Sequence, residues 1–216
     1  MIPFRLYLRF DDNTKRTRTI GLDKLVDANV LNEIIARNQV LVGEQFDDVL
    51  KGARPIATGV GITYEIQGNA AHRTRIADLE RAWRNVLYRE GMVAGDTITY
   101  TAMSGVSCLK VVGDKERFQY LNASEARNET HFVAIMDNQI VGIRAIEQSP
   151  YAENELWVKF IAVDPRYRFM GIARELVKQT AEYAASANKT LVGSSLTDMG
   201  TKFLARYRRP STEIAA

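Results

Sequence analysis

Cysteine is almost absent: Cys108 is the single one in 216 residues. No internal disulfide can form. With only His72 and His131 besides, donors for a structural zinc site are too few, and no metal is expected. Such cysteine usage points to a reducing, cytoplasmic setting. No apolar run approaches the roughly 18 residues that carry a helix across a bilayer, so no membrane partner is expected. The start, Met1 to Phe10, breaks its apolar positions with Arg5 and Arg9 and does not read as a secretory signal. No phosphate-loop Gly-Lys-Ser/Thr motif occurs, and Gly59-Val-Gly61 lacks a third glycine at the dinucleotide spacing. Nucleotide hydrolysis and a dinucleotide fold are set aside on that ground. A large excess of one charge sign is lacking too. A formal net charge of +3 is compatible with an anionic ligand or nucleic acid and demands neither.

What is present reads as a globular α/β chain, with 46% apolar and 25% charged residues. Residues 3–10 and 15–20, separated by Asp11-Asp-Asn-Thr14, predict a β-hairpin. Asp23 to Asn38 and Arg73 to Tyr88 carry apolar residues at helical spacing, the second with Ile76, Leu79, Trp83, Val86 and Leu87 on one side. Ile62 to Ile66, Asp96 to Thr101 and Cys108 to Val112 are β-prone, and Lys115 to Leu121 suggests a short helical piece. The pattern then tightens. His131 to Ile135 and Ile140 to Ile146, around Asp137-Asn-Gln, predict a second hairpin. Leu156 to Val163 predicts a strand, Gly171 to Ala187 a helix, and Thr190 to Gly193 another strand. Thr197 or Asp198 can cap a last helix running to about Arg208, which Pro210 stops.

The most informative stretch joins the strand ending at Val163 to the helix beginning at Gly171. A helix start exposes unpaired N–H groups and a partial positive charge. Gly171 lets the backbone approach a ligand, Ala173 keeps the first turn uncrowded, and Arg166 and Arg168 add charge. Together these can hold an anionic diphosphate. A plain strand–turn–helix crossover with solvated arginines is the alternative.

Arg168-Phe-Met-Gly-Ile-Ala173 resembles the Arg/Gln-x-x-Gly-x-Gly/Ala signature of the GCN5-related N-acetyltransferases (GNAT). The hairpin from Phe132 to Ile146, with Val141-Gly142, is similar to that family's second and third strands, and Ile161-Ala-Val-Asp-Pro165 to the end of its fourth. The likeness spans roughly residues 107–207. It implies a central mixed sheet with helices on both faces, in a core at 107–216 preceded by an N-terminal subdomain at 1–106. It implies acetyl-CoA as donor and an amine acceptor that attacks the thioester directly. The cofactor would be bound by Ile161, Ala162 and Val163 along the strand, and by Arg166, Arg168, Phe169, Met170, Gly171, Ile172 and Ala173 at the turn.

The catalytic residues depart from the family pattern. Leu204 stands where an acidic tyrosine is usual, and Tyr207, three residues on, is the candidate replacement. Ser194, with Ser195 beside it, is a second candidate acid. Glu155 is the candidate base; Asp198 reads better as a helix cap, His131 as a structural residue, and a solvent-relayed proton would need no base. The family usually adds two strands after the last helix. The expectation here is that N-terminal segments complete the sheet, with the 3–20 hairpin as the candidate, or that a partner does, a second copy of the chain included. Two further readings stay open. One is transfer onto nucleic acid, from the arginines at 73, 75, 81, 84 and 89, a second basic cluster (Lys202, Arg206, Arg208, Arg209), and Tyr64, Trp83 and Tyr88 as stacking platforms. The other is a binding protein that has kept the fold and lost its acid.

Overall fold

A computed structural model describes residues 3–23, 25–50, 56–57, 61–67, 73–112, 118, 121 and 126–193. The chain divides into two compact units, one of Met1–Gly95 with Arg166–Met170, the other of Asp96–Pro165 with Gly171–Ala216.

In the first unit, β1 (Phe4–Phe10) and β2 (Lys15–Ile20) form the expected hairpin. Asn13 takes the left-handed conformation at the turn, at φ 63°, and Asp12 accepts the backbone N–H and the hydroxyl of Thr14. α1 (Ala28–Gln45) follows, then β3 (Ile56–Ala57), β4 (Gly61–Ile66) and α2 (Arg73–Arg89). The sheet order is β2-β1-β4-β3, with β1 parallel to β4. Alternation along β1 puts Phe4, Leu6, Leu8 and Phe10 in a core with Leu31, Ile34 and Ile35 of α1 and Leu79, Trp83, Val86 and Leu87 of α2. Trp83 and Tyr64 are buried together, Trp83 Nε1–H donating to Tyr64 Oη at 2.6 Å.

Two expectations are corrected here. The 3–20 hairpin does not complete the sheet of the second unit. Its strands belong to a separate four-stranded sheet, where β1 pairs with β2 and β4. α1 also starts later than its apolar spacing suggested. Asp27 caps it by accepting the N–H of Asn29, whereas Asp23 is engaged with the backbone of Met92 and Ala94.

The second unit holds a five-stranded sheet in chain order: β5 (Thr99–Ser104), β6 (Glu129–Met136), β7 (Gln139–Gln148), β8 (Glu155–Val163) and β9 (Thr190–Gly193). It is antiparallel except for the parallel β8–β9 pair. α3 (Gly105–Val111) and α4 (Ile172–Ser186) cover opposite faces. Cys108 and Val112 pack with Val133 and Ile143 on one face; Ile172 and Leu176 sit over Gly142 and Ala134 on the other. This is the mixed α/β arrangement that the sequence implied. α3 corrects a strand expectation: Cys108-Leu-Lys-Val-Val112 is β-prone in composition, but Ser104 caps a helix there by accepting the N–H of Ser107 at 3.2 Å. Lys115–Leu121 and the expected helix at 197–208 lie outside the described residues, apart from isolated positions in the first. No described helix is long and apolar enough to cross a membrane.

Candidate functional site

β8 carries one extra residue relative to β7. Ala145 pairs with Phe160 but Ile146 with Val158, so Lys159 forms a bulge. Bulges sharpen twist and recur beside active sites. The β8–β9 ladder covers only Glu155–Val158 and ends where the bulge begins. β8 continues to Val163, every residue from Trp157 onward half-buried although most are apolar. Ile161, Ala162 and Val163 thus lie on a strand stretch past the end of the β9 ladder.

The chain then turns. Asp164 is buried and its N–H donates to Val141 O at 3.0 Å. A single 3-10 turn, Pro165–Tyr167, leads to Phe169 at φ 69° and Gly171 at φ 84°. Gly171 is the N-cap of α4 and has no side chain with which to cap that end. The first-turn N–H groups at Ile172 and Ala173 have no partner within the helix. Ala173 is small, and Gly171 supplies the positive φ at no steric cost. Backbone donors at a helix N-terminus are the kind of groups that meet an anionic diphosphate.

The two arginines assigned to this turn have different surroundings. Arg168 Nη1 donates to Gln45 Oε1 at 3.2 Å, within the first unit. Arg166 is exposed, its guanidinium 5.6 Å from the centre of the Tyr167 ring. Phe169 packs against the core of the first unit, and Met170 is buried.

Glu155 is the first residue of β8, opposite Thr190. At about 3.3 Å per residue it lies roughly 20 Å along the strand from Ile161, so the structure does not bring it together with the residues expected to meet the cofactor. Tyr207, Ser194 and Ser195 lie outside the described residues.

Several polar residues on this sheet were not singled out from sequence. Glu129 and Glu147 stand directly opposite one another on β6 and β7. Like charges in that register repel, and each has a partner. Glu129 Oε2 lies 2.6 Å from His131 Nε2, both buried, and Glu147 Oε1 lies 3.0 Å from Lys159 Nζ at the bulge. His131 is thus held inside the sheet, its ring edge-on to Phe160 with centroids 6.0 Å apart. Burial first, and the Glu129 charge second, push the Cys108 thiol up to about 12. A thiol held neutral in this way is no nucleophile.

The nucleic-acid signals of α2 largely resolve into internal contacts. Arg75 pairs with Asp48 and Asp78 and lies over Phe46, Arg81 pairs with Asp78, and Arg89 bonds Asn38 and Glu90. Tyr64 and Trp83 are buried in the core and present no ring to a base. Lys202, Arg206, Arg208 and Arg209 fall outside the described residues. Among the described residues no group of three or more His, Cys, Asp or Glu could hold a metal.

Residues 101–200 match the family model described as acetyltransferase (GNAT) family. No match was found among curated proteins. Among solved structures the chain is similar to an aminoglycoside acetyltransferase from an uncultured soil metagenomic sample, in complex with trehalose, at 18% identity over 55% of this chain and 91% of that one, with a TM-score of 0.38. It is also similar to a ribosomal-protein-alanine N-acetyltransferase from Brucella melitensis biovar Abortus 2308, at 16% identity over 56% and 96%, with a TM-score of 0.42. A third is an aminoglycoside N-acetyltransferase in complex with CoA, at 15% identity over 57% and 92%, with a TM-score of 0.40.

Proposed function

We propose, from the match of residues 101–200 to the acetyltransferase (GNAT) family, that this chain moves an acetyl group from acetyl-CoA to an amine. The observation that carries the reading is the uncapped start of α4, entered through Gly171 straight from the turn after β8. An anionic diphosphate satisfies those donors and the helix dipole together.

In this reading the donor lies along β8 past the end of the β9 ladder. Its pantetheine amides bond backbone groups of Ile161 and Val163, with Ala162 between them. Its diphosphate sits on the N–H groups of Phe169, Met170, Gly171, Ile172 and Ala173, and exposed Arg166 adds positive charge. Arg168 contributes its backbone, because its guanidinium is engaged with Gln45. The amine attacks the thioester carbonyl, and a strand N–H of β8 stabilises the developing oxyanion. The C–S bond then breaks, and the thiolate takes a proton from an acid, for which Tyr207 is the first candidate and Ser194 the second; the proton that the amine nitrogen sheds as the amide forms restores that acid. Glu155 is distant along the strand, so the ammonium proton leaves through solvent before attack. The acceptor is an amine whose identity the site does not name. A cytoplasmic setting belongs to the same proposal.

Calorimetric titration with acetyl-CoA tests the reading. Saturable binding at one site per chain is expected, and a folded protein that binds none overturns it.

A further inference from the structure

α2 turns one side into the core of the first unit, and Asn85 lies on that side among Ala82, Trp83, Val86 and Leu87, 9% exposed. A buried amide is costly unless its hydrogen bonds are met. Here they are met by the turn that follows β8. Asn85 Nδ2 donates to Arg166 O at 2.9 Å and to Arg168 O at 2.8 Å. Its two N–H groups are thus spent on two carbonyls two residues apart. One turn later on α2, Arg89 Nη1 lies 3.4 Å from Phe169 O, and Arg89 Nη2 is anchored on Asn38 Oδ1 at 2.7 Å. Asn38 is itself buried and donates to Ile34 O at 2.8 Å. All of these residues belong to the first unit.

The consequence follows from the planarity of the peptide bond. In a trans peptide the carbonyl and the next N–H point in opposite directions. Drawing the Arg168 carbonyl toward α2 turns the Phe169 N–H away from α2, and drawing the Phe169 carbonyl the same way turns out the Met170 N–H. Without those acceptor-side bonds, either peptide could flip and show an anion its carbonyl oxygen. Phe169 also stands at φ 69°, a conformation that is unfavourable for a non-glycine residue and persists only where the surroundings over-determine it. Its packing against the core and the two carbonyl bonds around it supply that constraint.

We propose that Asn85, with Arg89 beside it, is the positioning residue of the diphosphate turn. It fixes the orientation of donors it does not share with the ligand. This rests on the acetyl-CoA reading above, and it is tested with a pair of donors. Acetyl-CoA carries the diphosphate; S-acetyl-pantetheine carries the same thioester arm without it. Competition titrations on wild type, Asn85→Leu and Asn85→Ser give the ratio of the two dissociation constants, and thermal unfolding without ligand reports the fold. Wild type should prefer acetyl-CoA. In whichever variant stays folded the preference should fall about tenfold, a loss of about 1.4 kcal/mol, through weaker acetyl-CoA binding and with acetyl-pantetheine little changed. A purely structural defect would weaken both ligands together and leave the ratio intact. An unchanged ratio overturns the proposal, while failure of wild type to bind acetyl-CoA at all overturns the functional reading on which it rests.

Discussion

Gly142 of β7 lies directly beneath Ile172, the first residue of α4: a Cβ placed on Gly142 would stand 2.6 Å from Ile172 Cγ2 and 3.3 Å from Leu176 Cδ1. The missing side chain lets the helix start sit close against the sheet. Gly142→Val should therefore destabilise the protein by about 1–3 kcal/mol, the usual range for overpacking, and should weaken acetyl-CoA binding by displacing the first turn of α4. Chemical denaturation and calorimetry read the two effects. A stable variant with unchanged affinity would show that the close approach is not required.

Gly171 stands at φ 84° with no side chain capping the helix it opens. Gly171→Asp places both a side chain and a negative charge where the diphosphate is proposed to lie, and binding of acetyl-CoA should be lost. Gly171→Ala adds only a methyl group in a left-handed backbone and should cost of order 1 kcal/mol of stability with a partial loss of affinity. A folded Asp variant that binds as wild type does would remove the basis for the diphosphate site.

Tyr207→Phe should lower turnover more than it lowers donor affinity, because a leaving-group acid acts after binding. Steady-state rates with a competent amine, set beside titrations with acetyl-CoA, separate the two quantities. Full activity in the variant passes the role to Ser194 or to water.

Tyr64 and Trp83 form a hydrogen bond inside the first core, and burial pushes the Tyr64 phenol well above its usual range. Tyr64→Phe removes the acceptor and leaves the Trp83 N–H buried and unmet, which should cost about 1–3 kcal/mol. Urea unfolding followed by tryptophan fluorescence measures it. A loss well below that range would mean that water replaces the acceptor.

Cys108 gives a pH dependence with a definite sign. The folded protein holds the thiol proton up to about 12, whereas the ordinary value is 9.0. The unfolded chain gives up that proton first, so ionisation favours unfolding as pH climbs from 9 toward 12, and below 9 the group makes no such demand. Wild type should lose stability across that window more steeply than Cys108→Ala does. The native thiol should also resist alkylation at pH 8 and react only on unfolding. Parallel slopes for the two proteins would show that burial does not hold the proton.

Local pattern made the hairpin of β6 and β7, strand β8 and helix α4 readable from sequence, because alternation and helical spacing coincide there with turn residues such as Asp137 and Asn138, both at positive φ. The turn into α4 was readable for the same reason: a helix entered at positive φ calls for glycine at its cap, and Gly171 stands between a strand pattern and an amphipathic one. α3 was not readable, since β-branched Val111 and Val112 outweigh, in composition, a cap that depends on one serine hydroxyl. Asn85 is an intermediate case. A lone amide among the apolar positions of α2 is visible in sequence, but its partners Arg166 and Arg168 are far along the chain and no local rule points to them. The pairing of Glu147 with Lys159 was hidden because the bulge changes which residues of β8 share a face.

That bulge has a further consequence for how β8 is to be altered. Trp157 lies opposite Glu147 and Phe160 opposite Ala145, so odd positions before Lys159 and even positions after it share one side of the sheet. The strand obeys two opposite parities in nine residues. Any substitution scheme that assumes one odd–even rule along Glu155–Val163 assigns half of its positions to the wrong side. Deleting Lys159 would merge the two into a single phase. Phe160 would still stand opposite Ala145 and Ala162 opposite Ile143, so each side would keep its residues and only the bulge, with the local twist it adds, would be lost.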